Sequence, residues 1–247
     1  MSDKYRIISF IGYRGADMRF KTVIFDLDGT LLNTLEDIGE SANQCLAEYG
    51  FPAYPIGDYR EFVGDGARNL IIRATNGNAE EPIIDEIVIK YKRLYEERYD
   101  VKTVKYSGID ALLSWLDEMG IPYSVLSNKT QSASEKIIRR YFPLNSFFSI
   151  SGQRDGIPIK PDPAQAIRII NELRCDPRDA VFIGDSRTDM DTAKNAGMFA
   201  LGVLWGFRDK AELLSHGADA VAETPLDVIQ IMNTQRLRDI PRDIPRV

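Results

Sequence analysis

Two acids stand two residues apart in Phe25-Asp26-Leu27-Asp28-Gly29-Thr30, directly after the apolar run Thr22-Val23-Ile24-Phe25. In extended backbone, alternate side chains share a side, so Asp26 and Asp28 face one way. Carboxylates at close quarters repel and require a cation or a shared proton. Gly29 permits a tight turn, and Thr30 supplies a hydroxyl. Taken alone, the run also fits an Asp-Gly turn with solvated acids. A second acidic pair tips the reading, because Val181-Phe182-Ile183 leads into Gly184-Asp185-Ser186 with Asp189 close behind. An oxygen-ligated metal accounts for acids gathered at the ends of two apolar runs. Tyr123-Ser124-Val125-Leu126 ends in Ser127-Asn128-Lys129, where a small hydroxyl and backbone amides suit phosphate oxygens. Lys160 lies in Ile159-Lys160-Pro161-Asp162-Pro163, just before a helical pattern, with two prolines fixing the backbone around it.

Sparse residue types narrow the chemistry further. The chain has one histidine, His216, which excludes a multi-histidine zinc site. Its two cysteines, Cys45 and Cys175, form no disulfide framework and suit a reducing cytosol. Neither has an arginine six positions later (Phe51 and Val181 stand there), so a cysteine-phosphatase loop is absent. Catalysis must draw on carboxylates, hydroxyls, lysine or a metal. The 247 residues, 44% hydrophobic and 28% charged, are enough for one large domain or two small ones. A formal charge of −6 does not favour nucleic acid or an anionic membrane as partner. No window approaches the roughly 18 consecutive apolar residues of a membrane span, and no targeting segment appears, so a cytoplasmic location is expected.

The elements that must position these residues follow from periodicity. Apolar runs without alternation at 22–25, 123–126, 147–150, 181–183 and 200–204, and a weak one near Ala220-Val221, read as strands buried on both faces of a parallel sheet. Helical stripes lie between them at 109–119, 132–141, 163–173 and 189–196. The expected fold is therefore α/β, a doubly wound, Rossmann-like parallel sheet. Residues 36–104 break the alternation with helical patterns only: Ile38, Ala42, Cys45, Leu46 and Tyr49, then Leu70, Ile71 and Ala74, then a stripe from Ile83 to Tyr95. This segment reads as an inserted helical cap domain at 36–104, joined to a core at 18–35 and 105–232. Residues 1–17 read as an N-terminal extension. Residues 233–247, with Arg-Asp-Ile-Pro twice, read as a disordered tail.

Together DLDGT at 26–30, LSNK at 126–129, KPDP at 160–163 and GDSRTD at 184–189 resemble the haloacid dehalogenase-like hydrolase superfamily, more closely its capped phosphatases of the phosphoglycolate phosphatase type. The resemblance spans about residues 20–230. It implies Asp26 as nucleophile forming an aspartyl-phosphate, and Asp28 as general acid and then base. Mg²⁺ would be held by Asp26, Asp185 and the Asp28 backbone carbonyl, with Asp189 holding either its water shell or Lys160. Lys160 would neutralise Asp26 and the phosphoryl oxygens, while Ser127, Thr30 and Asn128 would meet the phosphate.

The implied partner is a small phosphorylated metabolite, with phosphoglycolate first, acted on by a monomer or homodimer. Asp28 points to phosphate esters rather than carbon–halogen bonds. A pyrophosphatase and a sugar phosphomutase are alternatives, the mutase lowered by the absence of histidine before position 216. A non-catalytic phosphate-binding regulatory protein is the alternative from another class. In the cap, Gly64 and Gly66 precede a helix and can bring backbone N–H groups near an anion. Arg68 reads equally as a carboxylate clamp or as a solvated turn arginine. Tyr91, Tyr95 and Tyr99 read as a packing stripe.

Overall fold

The computed structural model describes residues 18–143, 145 and 147–235. The expected extension at 1–17 and most of the expected tail, from 236 onward, lie outside the described residues. Strand β1 (Thr22–Phe25) is buried along its length and sits inside a parallel sheet with β4 (Tyr123–Thr130), β5 (Ile150–Gln153), β6 (Ala180–Gly184), β7 (Phe199–Val203) and β8 (Ala220–Ala222). The strand order is β5-β4-β1-β6-β7-β8. This is the doubly wound α/β sheet expected from the uninterrupted apolar runs. Helices α5 (Ile109–Met119), α6 (Gln131–Tyr141), α7 (Ala164–Glu172), α8 (Arg187–Asn195), α9 (Lys210–Ser215) and α10 (Pro225–Thr234) connect and cover the strands.

Alternation along β1 divides the core between the two faces. Val23 and Phe25 join Leu112, Leu116 and Val125 on one side. Ile24 joins Ile169, Ile170 and Phe182 on the other. Strand order reverses around β1, flanked by β4 and β6, and the crevice beyond such a reversal is where open α/β sheets bind ligands. Phe25 lies opposite both Val125 and Ile183, which brings the ends of the three apolar runs level. Asp26, Ser127 and Asp185 therefore emerge at one edge.

The helical segment comprises α1 (Leu35–Glu48), the short α2 (Tyr59–Phe62), α3 (Gly66–Ala74) and α4 (Glu81–Arg98). Its apolar faces enclose their own cluster, including Ile38, Cys45, Leu70, Ile87 and Tyr91, into which Ala133 and Phe207 of the sheet layer also project. The two chain crossings pair as a small antiparallel ladder, β2 (Leu32–Asn33) with β3 (Val104–Lys105). The buried Asp37 carboxylate accepts from the backbone N–H of Lys102 and Thr103 and from the Thr103 hydroxyl, tying the outgoing crossing to α1.

Two elements depart from the periodicity. The run Phe147–Ile150 is not a strand; β5 begins only at Ile150. Phe147 packs edge-on against Tyr123 at 4.9 Å and against Phe142 at 5.8 Å, so these aromatics are a packed connection. Helix α10 continues to Thr234, past the expected start of the tail at 233, because Val228 and Met232 are buried against the sheet layer.

Candidate active site

Every strand that ends at the crevice contributes a polar side chain there. Asp26 follows β1, is 7% exposed, and receives Lys160 Nζ at 2.6 Å on its Oδ1. The same ammonium donates to Asp189 Oδ1 at 2.7 Å. Asp189 Oδ2 in turn accepts from Ser186 N at 3.0 Å and Ser186 Oγ at 2.7 Å. Both Asp189 oxygens are thus used on Lys160 and on the start of α8, and the residue orients the lysine. Asn128 fixes the Lys160 backbone, accepting from Lys160 N at 2.9 Å and donating to Lys160 O at 3.0 Å.

Asp185, at the end of β6, accepts from Thr30 Oγ1 at 3.2 Å and Phe207 N at 2.7 Å. Carboxylate oxygens of Asp26, Asp185 and Asp189 lie within 4.8 Å of one another, and all three residues are buried. One buried ammonium faces three buried carboxylates, and the imbalance appears in their proton affinities. Burial, reinforced by the Asp189 charge, pushes the Asp185 carboxyl up to about 7. Burial also raises Asp26 well above the carboxylate range, with Asp189 adding to the effect and Lys160 opposing it. For Lys160, burial works against the charge, but the carboxylates of Asp189 and Asp26 outweigh it and raise the ammonium above the ordinary lysine range. A cluster of hard oxygen donors that is short of positive charge suits a divalent cation.

Asp28 is held differently. Its Oδ1 accepts from Thr34 Oγ1 at 2.7 Å, and its Oδ2 pairs with Lys129 Nζ at 2.8 Å. Ser127 is buried and accepts from Lys129 N at 3.2 Å.

The helical segment closes over this edge. Asn128 donates to Gly64 O at 3.0 Å, and Arg208 Nη2 donates to Val63 O at 3.0 Å. Asp65 accepts from Thr188 Oγ1 at 2.7 Å and Arg187 Nη2 at 3.1 Å, and it also pairs with Arg73. The cavity between them is lined by Asp26, Asp28, Ser127, Lys129 and Asp185 from the sheet side, and by Gly64, Gly66, Leu70, Tyr91 and Tyr95 from the helices.

A model of the haloacid dehalogenase-like hydrolase family matches residues 23–203. The chain belongs to that family. It is therefore a hydrolase by descent, and its similarities run in the same direction. It is 31% identical to a phosphoglycolate phosphatase of Pseudomonas syringae pv. tomato over 215 residues, 85% of this chain and 76% of that one. It is 28% identical to an N-acetylmuramic acid 6-phosphate phosphatase of Pseudomonas aeruginosa, over 87% of this chain and 96% of the other. A solved haloacid dehalogenase-like family protein of Streptococcus pneumoniae superposes with a TM-score of 0.77 at 25% identity, covering 86% of this chain and 98% of that one.

In this hydrolase the expected core residues Asp26, Asp28, Ser127, Asn128, Lys160, Asp185 and Asp189 come together at one edge, as described. Two residues expected at the substrate stand elsewhere. Thr30 turns to Asp185, and its carbonyl accepts from Trp205 Nε1 at 2.9 Å. Arg68 points along α4, ion-paired to Glu81 and Asp85, and does not line the cavity. The sequence alone assigned no individual site role to Lys129, Tyr95, Asp65 or Arg208. Lys129 was visible only as part of a four-residue run, and its partners Asp28 and Tyr95 lie far from it in sequence.

Proposed function

We propose that the protein is a Mg²⁺-dependent phosphomonoesterase that works through an aspartyl-phosphate, with phosphoglycolate its leading substrate. The observation that carries this reading is Lys160 Nζ at 2.6 Å from Asp26, set beside the buried Asp185 and the hydroxyl of Ser127. In this mechanism an Asp26 carboxylate oxygen attacks phosphorus while the ester oxygen leaves with the proton of Asp28. Water then attacks the acyl phosphate and gives its proton to Asp28, which frees phosphate and restores Asp26. Thr34 and Lys129 hold the Asp28 carboxylate in place for both transfers. Lys160 and Ser127 offset the negative charge on the transferring group, and Lys160 reaches it because Asp189 holds the ammonium from behind.

Asp26, Asp185 and the Asp28 backbone carbonyl would hold Mg²⁺. When bound, the ion supplies charge neutralisation for the phosphate and for the crowded carboxylates. The closed helical segment limits water at the reacting atoms. The names of the relatives support a phosphatase and offer two leaving groups of very different size, a hydroxy acid and an amino sugar acid. The deciding measurement is phosphate release from a panel that includes phosphoglycolate, an N-acetylmuramic acid 6-phosphate, pyrophosphate and p-nitrophenyl phosphate, with Mg²⁺ and with excess chelator. Release in Mg²⁺ and its loss in chelator are expected. Undiminished turnover in chelator, or no turnover of any ester, overturns the reading.

A further inference from the structure

Lys129 is a cation of the cavity wall that the phosphatase mechanism uses only to hold Asp28. Its side chain is 8% exposed, and its ammonium has three N–H donors to place. One meets Asp28 Oδ2 at 2.8 Å. A second is donated to the Tyr95 hydroxyl at 3.0 Å, and the ammonium also stands 4.2 Å from the centre of that ring. The third has no partner among the described residues, although Lys129 lines the cavity. The apolar part of the wall is formed by Ile38, Leu70, Ala133, Phe207 and Tyr91, which stacks on Tyr95 at 5.9 Å. Of the other cations near the cavity, Lys160 holds Asp26 and Asp189, and Arg68 is tied to Glu81 and Asp85. Arg208 donates from Nη2 to the backbone carbonyls of Glu61 and Val63 and pairs through Nε with Glu212, while its buried Nη1 has no hydrogen-bond partner among the described residues; Lys92 also lines the wall.

We propose that Lys129, held between Asp28 and Tyr95, is the specificity residue of this enzyme and binds a carboxylate on the leaving alcohol. The inference rests on the phosphatase reading above, which puts Asp28 at the ester oxygen. A general acid lies within about 3 Å of the oxygen it protonates. Lys129 lies 2.8 Å from the same carboxyl group. The ammonium is therefore on the order of 6 Å from the ester oxygen. A carboxylate two or three bonds from that oxygen comes within hydrogen-bond reach of it, and one at the far end of a longer chain passes it by. The substrate class is then the phosphate ester of a short hydroxy acid. A sugar phosphate with its acid group remote from the ester gains nothing from Lys129. Tyr95 positions the lysine from α4, so the contact also requires the helical segment to be closed over the sheet edge. A buried site built to donate to a charged group rejects the analogue that lacks it by a large factor.

The test compares phosphoglycolate with its neutral amide, 2-phosphooxyacetamide, and with p-nitrophenyl phosphate in the full-length enzyme with Mg²⁺. The wild-type kcat/KM is expected to favour the acid over the amide by about 100-fold or more, in line with rejection of an isostere that leaves a buried donor unmet. Lys129→Met is expected to bring that ratio close to one, and Tyr95→Phe to lower it several-fold. Lys92→Met, at another cationic position of the cavity wall, is expected to leave it in place. On the unmodified enzyme, glycolate should inhibit more strongly than glycolamide, a readout that needs no variant to fold. Three results overturn the inference while leaving the phosphatase reading intact: no wild-type preference for the acid, an equal fall on both esters in Lys129→Met, or collapse of the ratio in Lys92→Met instead. Absence of turnover of all three esters by the wild type overturns the phosphatase reading and the inference with it.

Discussion

Lys160 Nζ lies 2.6 Å from Asp26 Oδ1, and the two side chains come from segments 134 residues apart in the chain. The lysine is 4% exposed and also holds Asp189, so its position is fixed from two sides. Asp26→Asn removes the nucleophile while keeping size and hydrogen-bonding capacity. Turnover should vanish, with circular dichroism and melting temperature close to wild type. Lys160→Met should cut kcat by about 10²–10³, the cost of removing one preorganised charge from a developing anion. A folded Asp26→Asn protein with near-wild-type turnover removes Asp26 from the nucleophile's role.

The crowding of carboxylates sets a pH dependence for the metal-free protein. Asp185 is pushed up to about 7, mainly by burial and then by Asp189. Its folded pKa is therefore above the unfolded value near 3.9. The stability associated with its protonated form is fully present below about pH 4 and is lost as pH rises through about 7. The loss amounts to a few kcal/mol. In chelator, the melting temperature should fall between pH 5 and pH 8, and Mg²⁺ should restore it at pH 8. Asp185→Asn should flatten the slope in chelator and remove most of the Mg²⁺ rescue. A chelated wild-type protein equally stable at both pH values contradicts the prediction.

Much of this site is legible without coordinates, and the reason is local. Asp26, Ser127 and Asp185 each follow an apolar run, and parallel sheets put the ends of such runs in register. Lys160 is marked by its flanking prolines. What the sequence hides is contact across the chain. Tyr91 and Tyr95 have the spacing of a packing stripe and do pack, yet Tyr95 also accepts a hydrogen bond from Lys129. Arg68 stands beside two glycines like an anion clamp, but α4 places Glu81 and Asp85 within its reach, and nothing in the spacing of residues 64–68 foretells that. Phe147 and Phe148 have strand-like apolarity, but an aromatic cluster with Tyr123 and Phe142 claims Phe147 before a ladder forms. Short-range pattern thus gives the elements, and side-chain partners between distant segments remain invisible to it.

Asp65 links the helical segment to α8, accepting from Thr188 Oγ1 at 2.7 Å and from Arg187 Nη2 at 3.1 Å. Burial alone would raise its pKa, but hydrogen bonds from Arg73 and Thr188 outweigh burial and hold the carboxyl at about 2. The stabilisation is therefore present above about pH 4 and is lost as pH falls through about 2. Asp65→Asn should lower stability at pH 7 by about 1–2 kcal/mol. The gap to wild type should narrow as pH falls from 4 to 2, because the wild-type carboxyl is then protonated too. Amide exchange in α3 should quicken and KM should rise more than kcat falls, because closure is weakened while the reacting groups are intact. Unchanged exchange and KM show that Asp65 does not hold the segment closed.

Gly29 separates backbone strain from collision. Its φ is +88°, and a Cβ added there would lie 2.2 Å from Asp185 Oδ2. Gly50 has a similar φ of +75°, but a Cβ there would meet nothing within 4 Å. Both alanine substitutions incur the left-handed backbone cost of about 1–2 kcal/mol, so both should lower the melting temperature. Only Gly29→Ala forces a side chain to move, and the one displaced is a carboxylate of the acidic cluster. Asp185 cannot retreat easily, because a Cβ on Gly206, behind it, would lie only 2.3 Å from the Asp185 Cβ. Gly29→Ala should therefore lose most of its phosphatase turnover and require much more Mg²⁺ for half-maximal activity. Gly50→Ala should keep wild-type kinetics at temperatures where it is folded. Equal kinetics in the two variants show that the close approach of Gly29 to Asp185 has no part in building the site.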